Sequence, residues 1–121
     1  MKPSSAKQKG RLFQQWVRDQ ILTLFPELTK DDVRSTSMGA AGEDVLLSGI
    51  ARKRFPFSIE CKSRNAIAVY PWLEQRADGD YPPIVFAKGN HKTPIVIMYA
   101  VDFLKLIEKQ KQNDIKETET K

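Results

Sequence analysis

The six residues Phe57-Ser58-Ile59-Glu60-Cys61-Lys62 constrain the fold more than any other stretch of the chain. Side chains of a strand alternate between its two faces, so Phe57, Ile59 and Cys61 share an apolar side. Glu60 and Lys62 share the other. A strand of this kind needs a cover for its apolar side. Its opposite side must hold a carboxylate and an ammonium group, and at mid-strand those cost desolvation unless they serve each other or a ligand. On the apolar side Cys61 reads as core packing rather than as a nucleophile, since a free cysteine is usually buried as a small hydrophobe.

A cover is available at the start of the chain. From Arg11 to Phe25 the apolar residues Leu12, Phe13, Trp16, Val17, Ile21 and Leu24 recur at three- and four-residue spacing, which predicts a core-facing helix. Gln20 interrupts its stripe and Pro26 ends it. A capped turn over Thr29–Asp32 leads to a short strand over Val33–Ser37. Next come a small-residue stretch, Met38–Gly42, and a β-prone run over Asp44–Ser48. The basic connection Gly49–Pro56 then makes the runs 44–48 and 57–63 the expected hairpin. Tyr70–Arg76 reads as a short helix with Pro71 at its first position and Asp78, Gly79 and Asp80 as its stop. Ile84–Ala87 and Pro94–Tyr99 read as buried strands. Asp102 is placed to cap a last helix using Phe103, Leu104, Leu106 and Ile107. The order helix, strand, strand, strand, helix, strand, strand, helix implies an α/β fold, a central mixed β-sheet flanked by helices.

At 121 residues the chain suits one domain with its own core. The expected division is a basic arm or helix start over residues 1–9, a domain over 10–108 and a polar tail over 109–121. One cysteine rules out an internal disulfide framework, and no Cys/His cluster has zinc-ligand spacing. A reducing, cytoplasmic setting fits that composition, and neither a signal peptide nor a membrane span is expected. The net charge of +5 favours an anionic partner. Basic residues gather over 2–11, 51–54 and 88–92, which either converge on one polyanion surface or are solvated loops.

Alternation of Glu and Lys is common on solvent-facing strands, where it makes cross-strand pairs. A second acid changes its meaning. Asp44 starts the preceding β-prone run, and a hairpin would bring it beside Glu60. Two carboxylates, completed by water and phosphate oxygens, are a usual way to hold Mg2+. Glu43-Asp44 followed by Ile59-Glu60-Cys61-Lys62 resembles the signature of the PD-(D/E)xK nucleases, with Glu43 in place of its proline. Lys9-Gly10, Arg34, Ser35 to Ser37 and Gln75 sit where archaeal-type Holliday-junction resolvases carry comparable residues. Arg34-Ser-Thr-Ser-Met-Gly and Phe57-Ser-Ile-Glu-Cys-Lys also look like segments of short bacteriophage endonucleases. Together these cover most of Lys9 to Ile107. One departure is Gln14, where such resolvases carry a glutamate in the first helix.

The resemblance implies a restriction-endonuclease-like core and Mg2+-dependent hydrolysis of DNA phosphodiesters, with Mn2+ able to substitute. Asp44 and Glu60 would bind the metal, joined by the backbone carbonyl of Cys61, while Lys62 positions or activates the attacking water. It also implies branched DNA as substrate, a homodimer with two active sites, and the host cytoplasm as location if the chain is phage-encoded. Flap, single-stranded or duplex DNA as substrate, or a non-catalytic DNA-binding domain, are the alternatives. Gln14 is either a neutral neighbour of the metal site or a boundary residue of its helix, and Gln75 is a further candidate neighbour. Lys9, Arg11, Arg34, Ser35, Ser37, Lys88 and Lys92 are candidate DNA contacts through phosphate oxygens. For Arg34 a plain strand arginine, and for Lys88 and Lys92 a solvated loop, are equally open. His91, the only histidine, has no partner at recognisable spacing. Trp72 and Tyr70 either stack on bases or pack a short helix.

Overall fold

Pro3 opens the first helix in the computed structural model, which describes residues 3–36, 42–77 and 79–120. A proline suits the first turn, where its missing N–H would have had no partner. Helix α1 (Pro3–Leu24) therefore includes most of the segment expected as an arm. Its buried residues are Phe13, Val17 and Ile21, spaced by four, together with Gln14. Leu12, Trp16 and Leu24 are exposed, so the buried stripe is narrower than the apolar one in the sequence.

After α1, the Asp32 carboxylate accepts from the Thr29 N–H at 2.9 Å and the Ser48 hydroxyl at 2.8 Å. These bonds hold its pKa below the ordinary value and tie the start of strand β1 (Val33–Ser35) to the end of β2 (Val45–Leu47). Strands β1 and β2 pair antiparallel, with Val33 opposite Leu47 and Ser35 opposite Val45. This is the hairpin of the fold, and it corrects the expectation that the runs 44–48 and 57–63 would form one. The basic connection is helix α2 (Gly49–Arg54), capped by the Ser48 hydroxyl accepting the Ala51 N–H at 3.2 Å. Hairpin loops are normally two to about five residues long, and a helical turn instead carries the chain around to β3 (Ser58–Ser63).

Helix α3 (Val69–Glu74) links β3 to β4 (Pro83–Lys88), and the two strands are parallel, with Glu60 opposite Val85 and Lys62 opposite Ala87. Strand β5 (Ile95–Met98) returns antiparallel to β4 and forms the sheet's outer edge. The result is a mixed α/β fold whose three-stranded mixed sheet is flanked by helices. On the α1 side lie Phe13, Val17, Ile21, Phe57, Ile59 and Ile84. On the α3 side Leu73 packs with Val85 and Ala87, with Trp72 and Ile97 beside them. Since Glu60 and Lys62 alternate with Ile59, they share the α3 side of the sheet.

Helix α4 (Ala100–Thr120) starts two residues before Asp102 and continues through the segment expected as a tail. Asp102 thus lies within the first turn, where a negative charge favours the helix dipole. Val101, Phe103, Leu104, Leu106 and Ile107 of this helix are all exposed. No helix among the described residues is long and apolar enough to cross a membrane.

Candidate active site

The position of Asp44 follows from its backbone. Its carbonyl accepts from the N–H and hydroxyl of Thr36 at 3.0 and 3.1 Å, its N–H donates to the Ile59 carbonyl at 3.1 Å, and its Oδ2 accepts the Cys61 N–H at 2.8 Å. Asp44 therefore bridges the two sheets, doing at one residue what a continued β2–β3 ladder would do over several. Beside it, Glu43 makes a two-pronged ion pair with Arg52 at 2.9 and 2.8 Å, and Arg52 also donates to the Phe57 carbonyl at 2.7 Å. The Arg52 guanidinium rests 4.6 Å from the Tyr81 ring centroid. Where the signature has a stiff proline, this chain has a planar ion pair that fixes the turn before Asp44.

Glu60 is 4% exposed and lines the same cleft as Asp44. Burial, then the neighbouring Asp44 carboxylate, raise its pKa to about 7, against the opposing pull of Arg76 and Lys62. The Arg76 guanidinium sits 3.4 Å from both Glu60 oxygens and also donates to the Gly42 carbonyl. Among the described residues its buried Nε has no hydrogen-bond partner. Lys62 places its ammonium 5.7 Å from the centroid of the Trp72 ring. Burial, followed by the Asp44 and Glu60 charges, pushes the Cys61 thiol far up, so the sulfur is no nucleophile.

These groups line one cleft of about 440 Å3 in which Gln14, Asp44, Glu60, Lys62, Gln75 and Arg76 meet. A buried and a half-buried acid lining one cleft have the chemistry of a divalent-cation site, because a hard cation can cancel their repulsion. The residues present therefore fit Mg2+ held by Asp44, Glu60 and the Cys61 carbonyl. Among the described residues no group of three or more Asp, Glu, His or Cys side chains is placed to hold a metal, so water or substrate oxygens would have to complete the shell.

The remaining candidates separate by position. Gln14 is buried in the cleft, where its Oε1 accepts the Ser35 hydroxyl at 3.0 Å, and so Ser35 supports Gln14 rather than facing the cleft. Gln75 reaches the cleft from the end of α3. Arg34 is exposed on β1 and Arg11 on α1, and neither lines the cleft. Lys9 donates to the Asn90 side chain at 3.1 Å, joining α1 to the loop that carries Lys88 and Lys92. Ser37 lies outside the described residues. The basic cluster at 51–54 is partly structural, because Arg52 holds Glu43 and Arg54 pairs with Glu27 at 3.1 Å.

Arg76, which meets Glu60, is a cleft residue that the sequence reading did not single out, and Arg64 is another. Arg76 follows Gln75 at a helix end, where an arginine has no distinguishing pattern; only the folded chain brings it back to a strand sixteen residues earlier. Trp72 is half-buried between the small apolar cluster and Lys62, which favours packing over base stacking for that ring, whereas Tyr70 is exposed. No protein-family model, curated protein or solved structure matches the chain.

Proposed function

We propose that this chain is a Mg2+-dependent DNA endonuclease of the PD-(D/E)xK type with a restriction-endonuclease-like core, acting on branched DNA as a Holliday-junction resolvase. The observation that carries the reading is the meeting of Asp44, the buried Glu60 and Lys62 in one cleft, with Glu60 and Lys62 on the same face of β3. Two acids are brought together there at a cost in repulsion that a purely structural site would have no reason to bear.

When bound, Mg2+ supplies Lewis-acid stabilisation of charge developing on the phosphoryl group. Asp44 and Glu60 would hold it as anions, and the Cys61 N–H keeps the Asp44 carboxylate oriented. Lys62 brings a positive charge that can orient the attacking water and stabilise the pentacovalent phosphorus. Arg76 neutralises Glu60 and lies where it can meet a phosphate oxygen once the acids are otherwise engaged. Gln14 adds hydrogen bonding without charge, which favours a single firmly held ion.

A four-way junction has approximate two-fold symmetry, so paired cuts call for a homodimer. Exposed Phe103, Leu104 and Ile107 on α4, with Ile95 and Val96 on the edge strand β5, offer the surface for it. Phe55, Pro56 and Trp72 are half-buried within the subunit and are less available for it. The test is incubation of a labelled four-way junction with Mg2+, alongside Glu60→Gln. Symmetric nicks near the branch that the variant does not make are expected. Cleavage confined to flap, single-stranded or linear duplex DNA would keep the nuclease and remove the resolvase. Salt-sensitive binding without product under Mg2+ or Mn2+ would point to a non-catalytic DNA-binding domain, a reading favoured by Gln14 and by the guanidinium already seated on Glu60.

A further inference from the structure

A second cavity, of about 460 Å3, lies beside the catalytic cleft and has a different chemistry. Its walls are the aromatic and aliphatic side chains of Leu12, Phe13, Trp16 and Pro94, and its rim carries Lys9 and Lys88. Ser63, one residue beyond Lys62 on β3, lines both spaces. A smaller cavity of about 170 Å3 shares Lys9, Ser63 and Asn90 with the aromatic one and Ala6, Ser63 and Arg64 with the cleft. The two larger spaces lie side by side along the first half of α1, one holding the acids Asp44 and Glu60 among basic side chains and the other aromatic with a cationic rim.

Several contacts build the aromatic end in advance. Trp16 stacks on Phe13 with ring centroids 5.8 Å apart and planes 14° from parallel, yet Trp16 remains 41% exposed. An exposed tryptophan braced by a buried ring is a ready stacking platform. The opposite lip is the turn Gly89–Lys92, closed by the Lys92 N–H donating to the Gly89 carbonyl at 3.2 Å. His91 takes a φ of 57° there, a strained value for a residue with a Cβ. Asn90 anchors the turn twice, its N–H donating to Asn65 Oδ1 at 2.7 Å and its own Oδ1 accepting from Lys9 at 3.1 Å. Packing at Gly89 is tight enough that a Cβ would lie 3.3 Å from Asn65 Oδ1.

We infer that this cavity is a nucleobase subsite, which takes one unpaired base of the DNA strand whose phosphate lies at Asp44 and Glu60. The assignment rests on the proposed nuclease reading and sharpens its substrate class. An aromatic wall binds the face of any base, and lysines at the rim meet the phosphates that flank it. A base paired within continuous duplex cannot enter without unstacking, while one at a branch point, gap or flap is already free. The pocket therefore selects for DNA with an unpaired nucleotide next to the cut.

The test uses Trp72→Phe, which leaves Trp16 as the sole tryptophan, in chelator so that nothing is cut. The probes are a single-stranded oligothymidylate about eight nucleotides long and a fully abasic oligomer of the same length and charge. Thymidylate should quench Trp16 emission and bind about tenfold or more tighter than the abasic chain, an advantage that Trp16→Ala removes and Trp16→Phe retains. Equal affinity for the two oligomers, or no change in Trp16 emission, overturns the subsite. So does an emission change that follows protein concentration alone, which would place a second copy of the chain in the cavity. Mg2+-dependent cleavage by a protein that fails these tests leaves the nuclease reading intact. Base-selective quenching in a protein that never cleaves does the reverse.

Discussion

Glu60 sets the chemistry of this protein at the scale of one residue. Its pKa near 7 means the folded chain holds a proton there that the unfolded chain, with an ordinary value of 4.5, has already released at pH 6. Between those values the native state binds more protons, so stability falls as pH rises through the window and the penalty is complete above about 7. Urea midpoints measured in chelator should decline from pH 5 to pH 8, and Glu60→Gln should flatten the decline. Midpoints that climb over the same range would contradict the burial and repulsion assigned to Glu60. Asp44 separates charge from geometry. Asp44→Asn keeps an oxygen for the Cys61 N–H but removes the anion, so it should shift the pH window of Glu60 downward while abolishing most activity. For Asp44→Ala the expected loss in Mg2+-dependent cleavage is about a thousandfold or more, since several kcal/mol of transition-state stabilisation goes with the ligand. Undiminished cleavage by that variant would refute the role of Asp44.

At the scale of elements, the site depends on α2, the helix that the sequence reading took for a connection. Arg52 on α2 holds Glu43 in place and tethers the Phe57 carbonyl, so it braces the turn before Asp44 from one side and the start of β3 from the other. Both side chains are mostly buried, 15% and 19% exposed, which makes loss of one partner costly. Arg52→Ala should destabilise the chain by about 1–3 kcal/mol and weaken Mg2+ affinity as Asp44 loses its support. Arg52→Lys, which keeps the charge but not the two-pronged geometry, should fall between. Chemical unfolding and metal titration would measure the two effects. Of this arrangement, β3 was legible because its alternation separates Ile59 from Glu60 and Lys62 without reference to anything distant. Helix α1 was legible from spacing, though not which flank would stay wet, because Leu12 and Trp16 are sorted by the position of β3 and not by their own periodicity. The hairpin partner of β2 was misjudged because an apolar run records a strand and not its neighbour; the Asp32–Ser48 bond that joins β1 to β2 is a tertiary fact. Arg76 was invisible for the same reason.

At the scale of the whole molecule, strand β5 and helix α4 each expose apolar side chains, and the proposed pairing of two copies would cover both. Strand β5 is a sheet edge that exposes Ile95 and Val96, the kind of open edge proteins usually blunt with charge or cover. Helix α4 follows directly, with Phe103, Leu104 and Ile107 exposed on its first turns. A two-fold dimer formed this way covers an edge and a helix face in each copy and presents two catalytic clefts to one substrate. Leu104→Glu with Ile107→Glu alters only exposed positions, so each subunit should fold unchanged by circular dichroism. Sedimentation equilibrium at micromolar concentration should give a dimer for the parent chain and a monomer for the double variant. With the pairing gone, the two cuts in a four-way junction should become uncoupled single nicks, while cleavage of a simple flap persists. A parent chain that sediments as a monomer would remove the resolvase and leave a nuclease acting on one strand at a time.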